Sequence, residues 1–136
     1  MTKRAVGRGE LQELARFRHE LRVFLHVSET AARDAGLTPA QHQLLLAVAG
    51  WGGDRPPTVG EVADLLLVRH HSAVELVGRA EEAGLVVRRP DPFDARRQQV
   101  ALTPSGENSL DRLAALHRAE LRRYRGPAVC ELDAPT

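Results

Sequence analysis

The stretch from Thr58 to Gly106 constrains this chain more than any other. It opens with two short helical patterns, Thr58–Leu66 and about His70–Ala83, joined by Leu67-Val68-Arg69 and closed by Gly84. Next come Leu85-Val86-Val87-Arg88-Arg89-Pro90, the polar span Asp91-Pro92-Phe93-Asp94-Ala95-Arg96-Arg97, and the return run Gln98-Gln99-Val100-Ala101-Leu102-Thr103. Two β-prone runs around a span rich in Pro and Asp predict a hairpin. Helix, turn, helix and a ribbon with a basic tip form a shape that fits duplex DNA. The second helix matches a major groove, and an arginine-bearing loop can reach the flanking minor groove.

Long amphipathic helices flank this unit. From Glu10 to Ala35, residues Leu11, Leu14, Phe17, Leu21, Phe24, Leu25, Ser28 and Ala32 recur at helical spacing on one face. Such a helix is about 39 Å long at 1.5 Å per residue. It overhangs a small domain, so its apolar stripe needs another long helix, in the same chain or in a partner. Gly36 ends it, and Thr38-Pro39-Ala40-Gln41 starts a second helix with an N-cap, a proline at N1 and a capping-box glutamine. Leu44, Leu45, Val48 and Trp51 give that helix its buried face, and Gly52–Pro57 read as a loop. Thr58-Val59-Gly60-Glu61 is another capping box, and Thr103-Pro104 repeats the N-cap and N1 arrangement. A single last helix is predicted from Pro104 to about Arg125, with Leu110, Leu113, Leu116, His117, Leu121 and Tyr124 on or near one face, stopped by Gly126-Pro127. This helix and the Glu10–Ala35 helix are expected to pack on each other and on their symmetry mates.

The expected fold is therefore mainly α with a small β-hairpin wing, a winged helix-turn-helix. Its order is four helices, two strands and a fifth helix, with dimerisation through the terminal helices. Residues 10–36 form the N-terminal dimerisation helix, 37–103 the DNA-binding domain, 104–125 the C-terminal dimerisation helix and 126–136 a short tail. The 136 residues suit one domain with helical extensions. Aromatics are only 4%, so Leu, Val and Ala must fill the core. Lys and Arg number 19 against 18 Asp and Glu, so total charge does not announce nucleic-acid binding. That argument rests on where the arginines sit. The single cysteine, Cys130, rules out an internal disulfide and suits a reducing cytoplasm. No apolar stretch follows the basic start Met1-Thr2-Lys3-Arg4, and the longest apolar runs are too short for a bilayer. A soluble cytoplasmic protein with no membrane partner is expected.

In a helix-turn-helix, residues near the start of the second helix meet base edges. Here these are Arg69, His70, His71, Ser72 and Glu75, with Arg79 farther along and suited to a phosphate. The plain alternative is a solvated polar face. The hairpin carries Arg88, Arg89, Arg96 and Arg97 against Asp91 and Asp94. Asp94 can hold the loop or an arginine while Arg96 projects outward. A narrow minor groove concentrates negative potential and attracts such an arginine. The plain alternative is an exposed loop whose charges pair with one another.

The run Gly84–Arg97, with its Asp-Pro-Phe-Asp-Ala-Arg tip, resembles the wing of the MarR family of bacterial regulators. So does the following Leu102-Thr103-Pro104-Ser105-Gly106. The segments Leu37–Gln41 and Leu76–Glu81 are also similar to that family. The resemblance covers about residues 10–125. It implies a dimeric winged-helix repressor of transcription on a pseudo-palindromic operator, with Arg96 in the minor groove, Asp94 supporting it and the helix from about Arg69 in the major groove. It also implies a small aromatic effector between the dimer helices and the DNA-binding lobe, for which Arg18, His19, Arg22 and Trp51 are the candidates. The family usually ends in a sixth dimerising helix, for which Gly126-Pro127 and a short tail leave little room.

Other chemistries are weaker. There is no phosphate loop, nucleophile elbow or paired metal motif, so neither an enzyme nor a cofactor is expected. His19 and His26 share a helix face but lie about 10 Å apart along the axis. His42 and His117 can converge only in the fold, and no metal site is expected. Cys130 has Glu131 and Asp133 beside it, which disfavours a reactive thiolate. Two other readings stand beside DNA binding: a winged-helix protein-interaction module, and a metal- or thiol-responsive variant of the same fold.

Overall fold

The structure, a computed structural model, describes residues 4–124. The helices are α1 (Arg8–Asp34), α2 (Pro39–Ala49), α3 (Val59–Leu66), α4 (His70–Glu82), α5 (Pro104–Asp111) and α6 (Ala114–Tyr124). Strands β1 (Val86–Pro90) and β2 (Gln98–Leu102) form one antiparallel hairpin, paired from Val86–Leu102 at its base to Pro90–Gln98 near its tip. The architecture is the expected winged helix-turn-helix.

The local signals in the sequence act as caps. Thr38 accepts a hydrogen bond from the Gln41 backbone N–H while the Gln41 side chain accepts one from the Thr38 N–H, both 3.1 Å. Thr58 and Glu61 form the same box at the start of α3, and Thr103 accepts from the Gly106 N–H. These bonds satisfy helix N–H groups that have no intrahelical acceptor. Gly84, at φ +77°, turns the chain out of α4, and the Leu85 N–H closes back on the Ala80 carbonyl at 2.9 Å. Gly106 is needed for another reason. A Cβ there would run into the Leu85 carbonyl oxygen, so glycine lets α5 press against the base of the wing.

A single core closes the lobe. Leu44 and Leu45 of α2, Val62 of α3, Val77 of α4, Val86 of β1 and Val100 of β2 are all fully buried within it. The loop before α3, expected to be irregular, ends as a short partner to β2: the Val100 N–H donates to the Pro57 carbonyl at 2.8 Å, and Thr58 bridges Gln99. The sheet edge is covered there, and the wing is anchored at its base.

Two expectations are corrected. The last helix is not one rod. It breaks at Arg112-Leu113, so α6 supplies a sixth helix inside the segment assigned to the fifth. Ser109 donates its hydroxyl to the Ser105 carbonyl, a back-bond that bends helices, and the Leu113 N–H tightens onto the Leu110 carbonyl three residues back. The break drops Leu113 into the core. Second, α1 and α6 do not close on each other within the chain. They form the walls of an open cleft. Along the α1 stripe only Ser28 and Ala32 are buried, against the lobe, while Leu11, Leu14, Leu21 and Leu25 stay exposed. The predicted helix end at Arg125 and the tail with Cys130 lie outside the described residues.

Candidate nucleic-acid interface

The wing tip is a rigid turn built by two aspartates. The Asp91 N–H donates to the Arg97 carbonyl at 2.9 Å and closes the tip. Asp91 is buried, and its carboxylate accepts from the Phe93 N–H at 2.8 Å. Asp94 accepts from the Arg96 N–H at 3.1 Å and from its guanidinium at 3.1 and 3.3 Å. The Arg97 guanidinium stands 3.8 Å from the same carboxylate. The bond from the Arg96 side chain, and then its backbone N–H, hold Asp94 below the usual carboxylate range, so it stays ionised. The Arg96 side chain is nevertheless 91% exposed. It is aimed by its partner and still open to solvent on its outer side.

Arg88 differs. At the hinge between α4 and the wing its backbone N–H and its guanidinium all donate to Glu81 at 2.9–3.2 Å. The backbone N–H bond, then the guanidinium, hold Glu81 below its ordinary range. Arg88 braces the base of the ribbon, whereas Arg97 and Arg89 are exposed along it. The sequence named Arg88 with the tip arginines. What separates them is the α4 carboxylate at 81, visible in the sequence but assignable only once the hairpin register is known.

Arg69, His70 and His71 are exposed at the start of α4; Ser72 is half-buried and Arg79 exposed farther along. Arg69 is the N-cap of α4 and its side chain makes no cap bond. A groove of about 520 Å³ runs between this helix start and the wing. Gly60, His70, Val74, Arg96, Arg97 and Gln98 line it, with Asp64 on the α3 side. The fold thus brings His70 to the same groove as Arg96 and Arg97. A second brace lies behind it, where Arg55 donates to Glu61 at 2.6 and 3.2 Å. Arg55, with help from Thr58, pulls the Glu61 carboxyl down to about 2.

The four effector candidates are not gathered within the chain. Arg18, His19 and Arg22 are exposed on α1. Trp51 sits half-buried after α2, beside clefts that include none of them. The cleft that does form, about 540 Å³ between α1 and α6, is lined by Phe17, Leu21, Phe24 and Tyr124 together with Glu20, Glu120 and Arg123. Its aromatic positions were read in sequence as parts of two separate stripes.

His42 and His117 do converge. Their rings stack at 5.2 Å between centroids, with the Nε2 atoms 2.9 Å apart, so one ring donates and the other accepts. His42 is 1% exposed, and burial, then the neighbouring His117, lower its pKa. The pair ties α2 in the lobe to α6 in the arm. Among the described residues no three His, Cys, Asp or Glu side chains are grouped to hold a metal, and no helix is long and apolar enough to cross a membrane.

A helix-turn-helix with a basic, aspartate-braced wing defines the class, a winged-helix protein. Residues 35–97 match the model of the MarR family. Over 103 residues the chain is 34% identical to the transcriptional activatory protein BadR of Rhodopseudomonas palustris, a match covering 75% of this chain and 57% of BadR. The chain spans little more than half the length of the curated relatives it matches. Among solved structures, AbsC of Streptomyces coelicolor, a MarR family transcriptional regulator, superposes with a TM-score of 0.76 at 24% identity, over 98% of this chain and 86% of AbsC. CouR of Rhodococcus jostii RHA1, bound to p-coumaroyl-CoA, gives 0.68 at 25% identity, over 85% of this chain and 80% of CouR. The chain belongs to the MarR family.

Proposed function

We propose that this chain is a cytoplasmic, sequence-specific DNA-binding regulator of transcription that acts as a homodimer on a pseudo-palindromic operator. The observation that carries the reading is the single groove between the start of α4 and the wing, with Arg96 and Arg97 open beside His70. In this reading Arg69, His70, His71 and Ser72 meet base edges, Arg79 and Arg97 meet phosphates, and Arg96, aimed by Asp94, enters the minor groove. Arg88 serves by fixing the wing's angle through Glu81.

The dimer is supported by the α1 stripe. The face that buries Ser28 and Ala32 continues, uncovered, through Leu25, Leu21, Leu14 and Leu11. A two-fold partner covering that face would set two α4 helices into successive major grooves about 34 Å apart. The cleft between α1 and α6 lies beside it. Its aromatic walls suit a small aromatic ligand, with Arg123, Glu20 and Glu120 as the polar groups around it, and CouR is a family structure bound to p-coumaroyl-CoA. Such an effector would shift the population between dimers with matched and mismatched helix spacing.

The test is duplex binding by the intact chain across a salt series. Affinity should fall steeply with log[salt] as counterions are released. Arg96→Ala should weaken binding by roughly 1–3 kcal/mol and leave the dimer intact. No binding at low salt would favour a protein-interaction module. The proposed outcome is repression: a reporter driven through the operator should fall when the chain is expressed. A rise would make it an activator, as BadR is named.

A further inference from the structure

Phe93 is the most exposed large apolar side chain among the described residues, at 95%. Its backbone is held in place. Its N–H donates to the buried Asp91 carboxylate, and the turn around it is closed by the Asp91–Arg97 and Arg97–Asp94 backbone bonds. The ring stands three residues from Arg96, on a tip where Arg96 and Arg97 share the one carboxylate of Asp94. An exposed apolar ring on a hydrogen-bonded turn that also carries two guanidinium groups complements a polyanion with apolar walls. The minor groove of a duplex, lined by sugars and flanked by phosphates, has that character.

We propose that Phe93 is an apolar wedge that enters the minor groove beside Arg96 and partly unstacks a base step there. Proteins that insert Phe, Leu or Ile in this way bend the duplex and favour sequences that deform easily. Pyrimidine–purine steps such as TA and CA/TG unstack most readily. Phe93 therefore selects flanking sequence by deformability, while Arg96 selects by groove potential and α4 reads the inner half-site. This rests on the DNA-binding reading above and adds a second specificity element to the same wing.

The experiment is selection from a random-sequence duplex pool with the intact chain and its Phe93→Ala, Phe93→Leu and Arg96→Ala variants. It is followed by titration of the selected duplex carrying 2-aminopurine at the flanking step. The wild type should enrich flexible steps at the flanks and brighten the 2-aminopurine. Phe93→Ala should keep the inner preference, lose the flanking one, leave the probe dark and bind about tenfold more weakly, the size of one lost base-pair contact. Its salt slope should equal the wild type's, whereas Arg96→Ala should lower the slope by about one. Phe93→Leu should retain most of the wild-type behaviour. Phe93→Ala with wild-type affinity, flanks and brightening would show the ring to be idle. Enrichment of flanking steps with no brightening would also overturn the wedge. If the wild type enriches no duplex, the DNA-binding reading falls, and the wedge with it.

Discussion

Two leucines, Leu113 and Leu21, separate the molecule into a part that completes itself and a part that does not. Leu113 sits where the C-terminal helix breaks and is buried in the lobe core with Leu44, Val77 and Val100. Leu21 sits on a long regular helix, 43% exposed, in a row with Leu14 and Leu25. Both belong to clean amphipathic stripes in the sequence. The difference is geometric. The lobe folds back on itself through α2, α4 and the hairpin, so its stripes find partners in the chain. α1 runs outward past the lobe, and each half-exposed leucine forgoes about 1 kcal/mol of burial until another surface covers it. Periodicity shows that a face is apolar; it does not show who covers it.

Replacing Leu113 by Asp breaks the first half of that comparison. An unpaired carboxylate in a closed core falls in the most damaging class of substitutions, above about 4 kcal/mol. Thermal unfolding should show loss of the cooperative transition. A folded Leu113→Asp variant would mean the lobe core extends less far than the structure shows. Gly106→Ala is the next largest effect. The new methyl meets the Leu85 carbonyl, so either α5 or the wing base must shift, at a cost of about 1–3 kcal/mol. Denaturant titration measures it, and an unchanged midpoint would show that this contact relaxes freely.

Leu21→Glu tests the other half. Because Leu21 lies outside the buried core, the lobe should keep its helix content and unfold cooperatively. The assembly should shift from dimer to monomer in sedimentation, with duplex affinity falling as a consequence. A Leu21→Glu variant that still sediments as an intact dimer would move the interface off this stripe.

The sequence made most of the lobe legible because its signals are local. Three threonine caps, two left-handed glycines and an Asp-Pro-rich turn each fix a boundary within a few residues, and all of them are where the pattern put them. The tip was legible for the same reason, since Asp94 and Arg96 are two residues apart. What stayed hidden depends on distant pairing. Arg88 looks like Arg96 until the register sets it against Glu81, and the loop at Pro57 looks irregular until β2 passes beside it. The break at Arg112 carries no glycine or proline, so helical periodicity runs straight through it.

The smallest effect concerns the joint between the two regions. His42 lies in the lobe and His117 in the arm, 75 residues apart, with a single proton shared between their Nε2 atoms. Burial and the facing ring depress the His42 pKa below its ordinary 6.5, so the folded state favours the neutral ring. Above pH 6.5 neither state binds the proton, and the stack is fully stabilising. As pH falls below 6.5 the unfolded chain takes up the proton while the folded chain resists, so stability declines toward the lower folded pKa. Between pH 7 and pH 5 the melting temperature should drop by on the order of a few degrees, and hydrogen exchange in α6 should rise before that in α2. His42→Gln should flatten the pH dependence in this window. Glu61 acts in a separate, lower window. Its carboxyl, held near 2 by Arg55, adds stability that is present above about pH 4.5 and lost between there and 2. A variant lacking His42 that still loses stability between pH 7 and 5 would place the titrating group elsewhere and remove the histidine stack as the joint between lobe and arm.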